Sequence, residues 1–140
     1  MPEQRGARDW SLFLHDMQSF CDKVIRYTAG LSATQFADNE LVYDAVLRNL
    51  ELLGEAAKQI TNSVRFSHPD VPWRRIAGLR DVLAHAYFGL EDETIWQVVS
   101  TSIPTLRMQL DAVAAQEGLS AQGALPQPPS VVQIDDNLQS

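Results

Sequence analysis

The chain has 140 residues, 45% hydrophobic and 21% charged, with a formal net charge of −7, which supports one packed domain and excludes wholesale disorder. The acidic balance argues against a general nucleic-acid coat protein, because neutralising phosphates takes an excess of Lys and Arg. No apolar run approaches the ~20 residues of a membrane span, the N-terminus lacks a signal-peptide pattern, and a lone Cys21 with scattered His15, His68 and His85 offers no disulfide framework or zinc spacing. The expectation is therefore a cytoplasmic protein with no metal and no other cofactor.

Trp10, Phe13, Leu14, Met17, Phe20, Cys21, Val24 and Ile25 recur at the three-and-four spacing of one helix face, predicting a helix over residues 8–28 that Gly30 stops. Ser32 and Gln35 stand at capping-box spacing. Asp38 or Asn39 can then cap a second helix from about Glu40 to Thr61, with a stripe through Leu41, Val42, Ala45, Val46, Asn49, Leu50, Leu53, Ala56, Ala57 and Ile60. Gly54 costs helix propensity in mid-element, which marks it as a place where another backbone comes close.

Ser67 to Pro72 form a breaker cluster. Pro72 suits the first position of a third helix, capped by Asp70 or Val71 and running from about Trp73 to Tyr87, with a possible interruption at Gly78 and an end at Gly89. Glu91, Asp92 and Glu93 place negative charge where the dipole of a fourth helix favours it. That helix is expected to reach Glu117, kinked by Pro104 and closed by Gly118. No strand-like alternation is sustained before residue 130, so the expected fold is all-α, an up-and-down four-helix bundle. The domain boundary falls at 1–117. Residues 118–140 hold three prolines, four glutamines and no aromatic, Lys or Arg, and read as a mobile tail whose Val131-Val132-Gln133-Ile134 patch leaves room for docking.

The charge is unevenly placed. Residues 65–80 sum to +3 through Arg65, Arg74, Arg75, Arg80 and Asp70, leaving −10 for the remainder. Four solvated arginines are the plain explanation; a local anion site, with Arg74 and Arg75 as phosphate contacts, is the sharper one. Beyond them, Arg80, Asp81, His85 and Tyr87 crowd one short helix. Arg80 and Tyr87 share a face with Ala84 between them, and Asp81 and His85 are spaced so that the carboxylate can orient the imidazole. Arg80 and His85 lie roughly 140° apart around the helix at about 100° per residue. They cooperate more easily if two copies of the helix meet about a two-fold axis. A structural His, a core Tyr and a simple ion pair are the competing readings.

These residues also carry a resemblance. The run Trp73-Arg74-Arg75-Ile76-Ala77-Gly78-Leu79-Arg80-Asp81 followed by His85-Ala86-Tyr87-Phe88 resembles the signature of the HepT-like toxins of the HEPN ribonuclease superfamily, an Arg, four residues, His, one residue, Tyr. Arg48 to Ala57, with its Gly54-Glu55-Ala56, is similar to the family's second-helix segment, and the likeness spans about Asp9 to Ala112. Relatives often carry Asn where Asp81 stands, so a negative charge is added beside the expected phosphate site.

The resemblance implies a dimeric HEPN bundle and a metal-independent RNA endonuclease with Arg80 and His85 as catalytic residues and Asp81 in support. Arg80 would hold the phosphodiester, and the two copies of His85 would move protons near neutrality. The product would be a 2′,3′-cyclic phosphate. It further implies a type VII toxin–antitoxin system, in which a minimal nucleotidyltransferase antitoxin silences the toxin by adenylylating Tyr87. A non-catalytic module whose cleft binds a nucleotide or partner helix is the alternative. A metal hydrolase built on Glu51 and Glu55 is disfavoured, since no histidine stands at ligand spacing; Glu55 reads better as an arginine's partner or a cleft wall.

Overall fold

The computed structural model describes residues 2–86 and 92–119, and all the regular structure in them is helical. Helix α1 spans Pro2–Thr28, α2 Ala33–Asp38, α3 Glu40–Ala57, α4 Asn62–Ser67, α5 Trp73–Ala77 and α6 Leu79–Ala86. Helix α7, Asp92–Gln97, passes through a π-helical segment, Val98–Ser102, into α8, Ile103–Gln116. Helices α1, α3, the α5–α6 pair and the α7–α8 unit are the four members of the expected bundle. The tail beyond residue 119, its apolar patch, and Gly89 and Glu91 lie outside the described residues.

The predicted punctuation is mostly where the side chains require it. Ser32 accepts from the Gln35 backbone N–H at 3.1 Å while the Gln35 carboxamide accepts from the Ser32 N–H at 2.9 Å, a complete capping box on α2. Asn39, not Asp38, caps α3 by accepting from the Val42 N–H at 3.1 Å. Gly30 and Gly118 end α1 and α8 at φ +79° and +75°, a conformation that side-chain-bearing residues rarely adopt. α1 begins earlier than periodicity indicated, at Pro2, because residues 2–9 contribute helix-compatible chain without an apolar stripe to reveal it.

Three differences have physical causes. α3 ends at Ala57 rather than Thr61, and the extra helix α4 follows. Arg65 from α4 reaches back to the end of α3, donating to the carbonyls of Ala57 at 2.9 Å and Ile60 at 3.0 Å, so a cationic fork satisfies oxygens that a continuing helix would have used. Pro72 is the residue before α5, not its first, with its carbonyl accepting from Ile76 N–H at 3.0 Å and no side chain from Asp70 capping the turn. The third helix is divided at Gly78, whose N–H bonds to the carbonyls of Arg74 and Arg75, giving α5 and α6 separate axes. Pro104 falls in the first turn of α8 directly after the π segment, so the irregularity that a missing N–H forces is a widened turn.

The core joins Leu14, Met17, Cys21 and Val24 of α1 to Val46, Leu50 and Leu53 of α3 and Ile103, Leu106, Leu110 and Val113 of α8. Trp73, Ile76, Leu79 and Leu83 close it from α5 and α6. α1 and α8 run antiparallel, since Gln18 bonds Asp111 at 2.9 Å and Asp22 meets Arg107 at 2.7 Å; Arg107 also pairs with Asp111. Burial pushes the Cys21 thiol up to about 12, against the lowering influence of Arg107 and with a small raising one from Asp22. The thiol is thus a protonated core group with no nucleophilic use.

His68, only 5% exposed, is structural: its Nε2 lies 2.8 Å from a Glu117 carboxylate oxygen, and its carbonyl accepts the Trp73 indole N–H at 3.0 Å. It pins the α4–α5 corner to the end of α8. Gly54 is buried beneath α5, where a Cβ would stand 3.0 Å from the Ile76 carbonyl oxygen. Gly54→Leu should therefore lower stability by about 1–3 kcal/mol through overpacking, despite regaining ~1 kcal/mol of helix propensity. Urea denaturation followed by circular dichroism measures this, and an unchanged midpoint would show that α5 yields freely.

Candidate functional site

Helix α6 turns Leu79 and Leu83 into the core, with Val82 half-buried beside them. By the same 3.6-residue period, Arg80, Asp81, Ala84 and His85 project to solvent. The predicted catalytic residues Arg80 and His85 both lie on the solvent side of α6, with the small Ala84 between them around the helix. Tyr87, the predicted modification site, lies outside the described residues.

Arg80 is held from across the bundle. One of its terminal nitrogens lies 3.6 Å from Oε2 of Glu55 on α3, and the same oxygen accepts from Lys58 Nζ at 3.4 Å. The Arg80 side chain is 70% exposed and that of Glu55 48%, so solvent screens the pair and its net worth is small, of order 0–1 kcal/mol. A guanidinium held this loosely stays available to an incoming anion while its resting orientation is set. The sequence reading of Glu55 as an arginine's partner is met here, and Glu51 is likewise engaged, with Arg48 at 3.2 Å.

Asp81 and His85 are both exposed, and among the described residues no hydrogen bond joins them, so the resting imidazole is not oriented by that carboxylate. No group of three His, Cys, Asp or Glu side chains stands together among the described residues as a metal site would require.

The basic window divides. Arg65 is spent on α3 carbonyls and belongs to the scaffold. Arg74 and Arg75 are exposed on α5 and form no ion pair among the described residues. They border a groove of about 600 Å³ between α4 and α5 that also contains Asn62, Phe66 and Trp73. Arg75 in addition borders a second groove of about 430 Å³ running beside Leu79 and Val82 of α6 toward the π segment. Sequence reasoning missed Lys58 and Phe66. Lys58 sits just past the end of α3, and Phe66 lies in a helix too short to display a period.

Comparison with known proteins gives these features a setting. A protein of Methanocaldococcus jannaschii named "Putative RNase MJ1380" is 35% identical over 108 residues, covering 77% of this chain and 99% of the relative. The "Probable ribonuclease HepT" of Thermococcus cleftensis is 36% identical over 95 residues, covering 68% of this chain and 86% of the relative. No solved structure matches the chain significantly. The family model described as Ribonuclease HepT-like matches residues 17–113, a span that takes in α3, the Glu55–Arg80 contact and the whole outward face of α6, and the chain belongs to that HepT-like ribonuclease family.

Proposed function

We propose that this chain is the toxin of a toxin–antitoxin pair, a metal-independent RNA endonuclease acting in the cytoplasm as a homodimer of the 1–117 domain. The observation that carries the proposal is the solvent-facing set of Arg80, Asp81 and His85 on α6 in a chain of a ribonuclease family. Water competes for an exposed guanidinium and imidazole, and the small Ala84 between them leaves room for a second α6 to approach about a two-fold axis and exclude it.

In the dimer, RNA binds with the scissile phosphate between the motif helices. Arg80 exchanges the Glu55 carboxylate for a phosphodiester, whose two free oxygens match the guanidinium fork better than one carboxylate oxygen at 3.6 Å. One copy of His85 removes the 2′-hydroxyl proton as the oxygen attacks phosphorus; the other copy protonates the departing 5′-oxygen. The bond from phosphorus to the 5′-oxygen breaks, leaving a 2′,3′-cyclic phosphate and a 5′-hydroxyl. Arg80 offsets the charge that accumulates on the phosphorane oxygens. Asp81, one turn from His85, is placed to steady the imidazolium once it forms.

Control is exerted through Tyr87. A minimal nucleotidyltransferase antitoxin transfers AMP from ATP, the phenolic oxygen forming a bond to the α-phosphorus while pyrophosphate leaves. Tyr87 follows Arg80 by seven residues in the sequence, about two helical turns, so an anionic group added to it is expected to compete with RNA for the guanidinium.

Arg80→Ala and His85→Ala should each reduce cleavage by about 100-fold or more with unchanged helical content, because both side chains are exposed. Cleavage should persist in EDTA and leave cyclic phosphate ends, and cutting of all-DNA substrates would overturn the mechanism. Sedimentation at micromolar concentration should show a dimer; a clean monomer that still cleaves would remove the composite cleft. Incubation with the cognate nucleotidyltransferase and ATP should add one or more AMP units to the intact mass. The Tyr87→Phe variant should gain none and stay active, whereas full inhibition at unchanged mass would mean control by occlusion.

A further inference from the structure

The groove between α4 and α5 combines features that neither the motif helix nor the bundle core uses. Phe66 is 83% exposed, an unusual position for a phenylalanine on a six-residue helix. It is not loosely displayed. The neighbouring Arg65 ties α4 to the Ala57 and Ile60 carbonyls, and Val64 is buried in the core, so the ring is presented from a fixed base. Opposite stands Trp73, buried and anchored by its bond to the His68 carbonyl. Arg74 and Arg75 face the same groove with no acidic partner among the described residues, and Asn62 adds a side chain able both to donate and to accept.

On a chain of net charge −7, two unpaired guanidiniums beside a presented aromatic face select for a ligand that is anionic and also carries a flat apolar surface. A nucleotide unit meets both demands. A duplex does not, because its base faces are already stacked on one another, so the strand must be single. We infer that this groove is a single-stranded RNA subsite, in which Phe66 stacks on a nucleobase and Arg74 and Arg75 hold the flanking phosphates.

The inference rests on the ribonuclease reading and deepens it, since it says which form of RNA the site admits and from which side. Arg75 borders both grooves, so a strand stacked on Phe66 can continue along α5 toward Leu79 and Val82 at the start of α6, the helix that also bears Arg80 and His85. The subsite thus serves as an anchor separate from the chemistry.

Binding is measured with a 2′-O-methyl oligoribonucleotide of about ten nucleotides, a length within the usual range of single-strand sites; the blocked 2′-oxygen prevents cleavage. Phe66→Ala should raise Kd about tenfold and Phe66→Trp should not. Arg74→Gln and Arg75→Gln should each flatten the dependence of log K on log salt by about 0.7. On unmodified RNA, Phe66→Ala should raise KM and leave kcat near that of the parent. Exposure of the ring means that the thermal midpoint stays unchanged, which circular dichroism checks. A chain that cleaves RNA but whose Kd ignores Phe66→Ala overturns the subsite alone. A chain that binds with the expected Phe66 dependence yet never cleaves supports the subsite and defeats the ribonuclease mechanism. Loss of dimer on Phe66→Ala at constant Kd would assign the groove to a second copy and overturn the RNA subsite.

Discussion

Everything at the candidate site depends on one close backbone approach. Helix α5 lies over α3 with the Ile76 carbonyl where a side chain at position 54 would otherwise begin. Any residue larger than glycine would push α5 outward, and α6, which begins one residue after α5 is capped, would move with it. Arg80 meets Glu55 only because these two backbones are nearly touching, one residue beyond Gly54 on α3 and four beyond Ile76 on the other side. The ~1 kcal/mol that glycine costs within a helix is thus offset by packing that positions a charged side chain.

The arginines show how residue type and role separate. Arg65 and Arg80 stand in the same basic window, yet one satisfies main-chain oxygens at a helix end and the other rests against a screened carboxylate. Bonds to carbonyls at a helix end are costly to give up, since the arginine supplies donors that a continuing helix would have supplied. A solvent-screened contact at 3.6 Å is not. The fold therefore commits one guanidinium to the scaffold and holds the other only loosely. Lys58, on the same Glu55 oxygen, gives that carboxylate a second cationic partner.

Much of this could be read before any coordinates, and the reasons differ from element to element. The bundle followed from apolar spacing, because burial at 3.6-residue intervals is what makes a helix pack, and Ser32, Asn39, Gly30 and Gly118 announced helix ends through chemistry local to each residue. Gly54 was a sound inference for the same reason: a propensity penalty needs a cause. What escaped was non-local. The early end of α3 depends on Arg65 folding back eight residues, and the exposure of Phe66 depends on where α4 sits, which no six-residue period can convey. Arg80, Asp81 and His85 stand out in the sequence through their motif and spacing, but the engagement of Arg80 by Glu55, rather than by the adjacent Asp81, is decided by helix packing alone.

The π segment before α8 solves a problem of phase. Ile95 and Ile103 are both buried against the same core, eight residues apart. Two α-helical turns span about 7.2 residues, so a regular helix would have carried Ile103 well away from the direction of Ile95. The widened turn at Val98–Ser102 takes up the surplus and returns α8 to register, with Leu106, Leu110 and Val113 following it inward. The segment is in effect an accommodated insertion. A chain lacking one residue there would keep Ile95 and Ile103 about two α-helical turns apart, whereas one more residue would turn the whole of α8, including Arg107, away from α1. The widened turn is thus what keeps Arg107 facing Asp22 across the seam between α1 and α8.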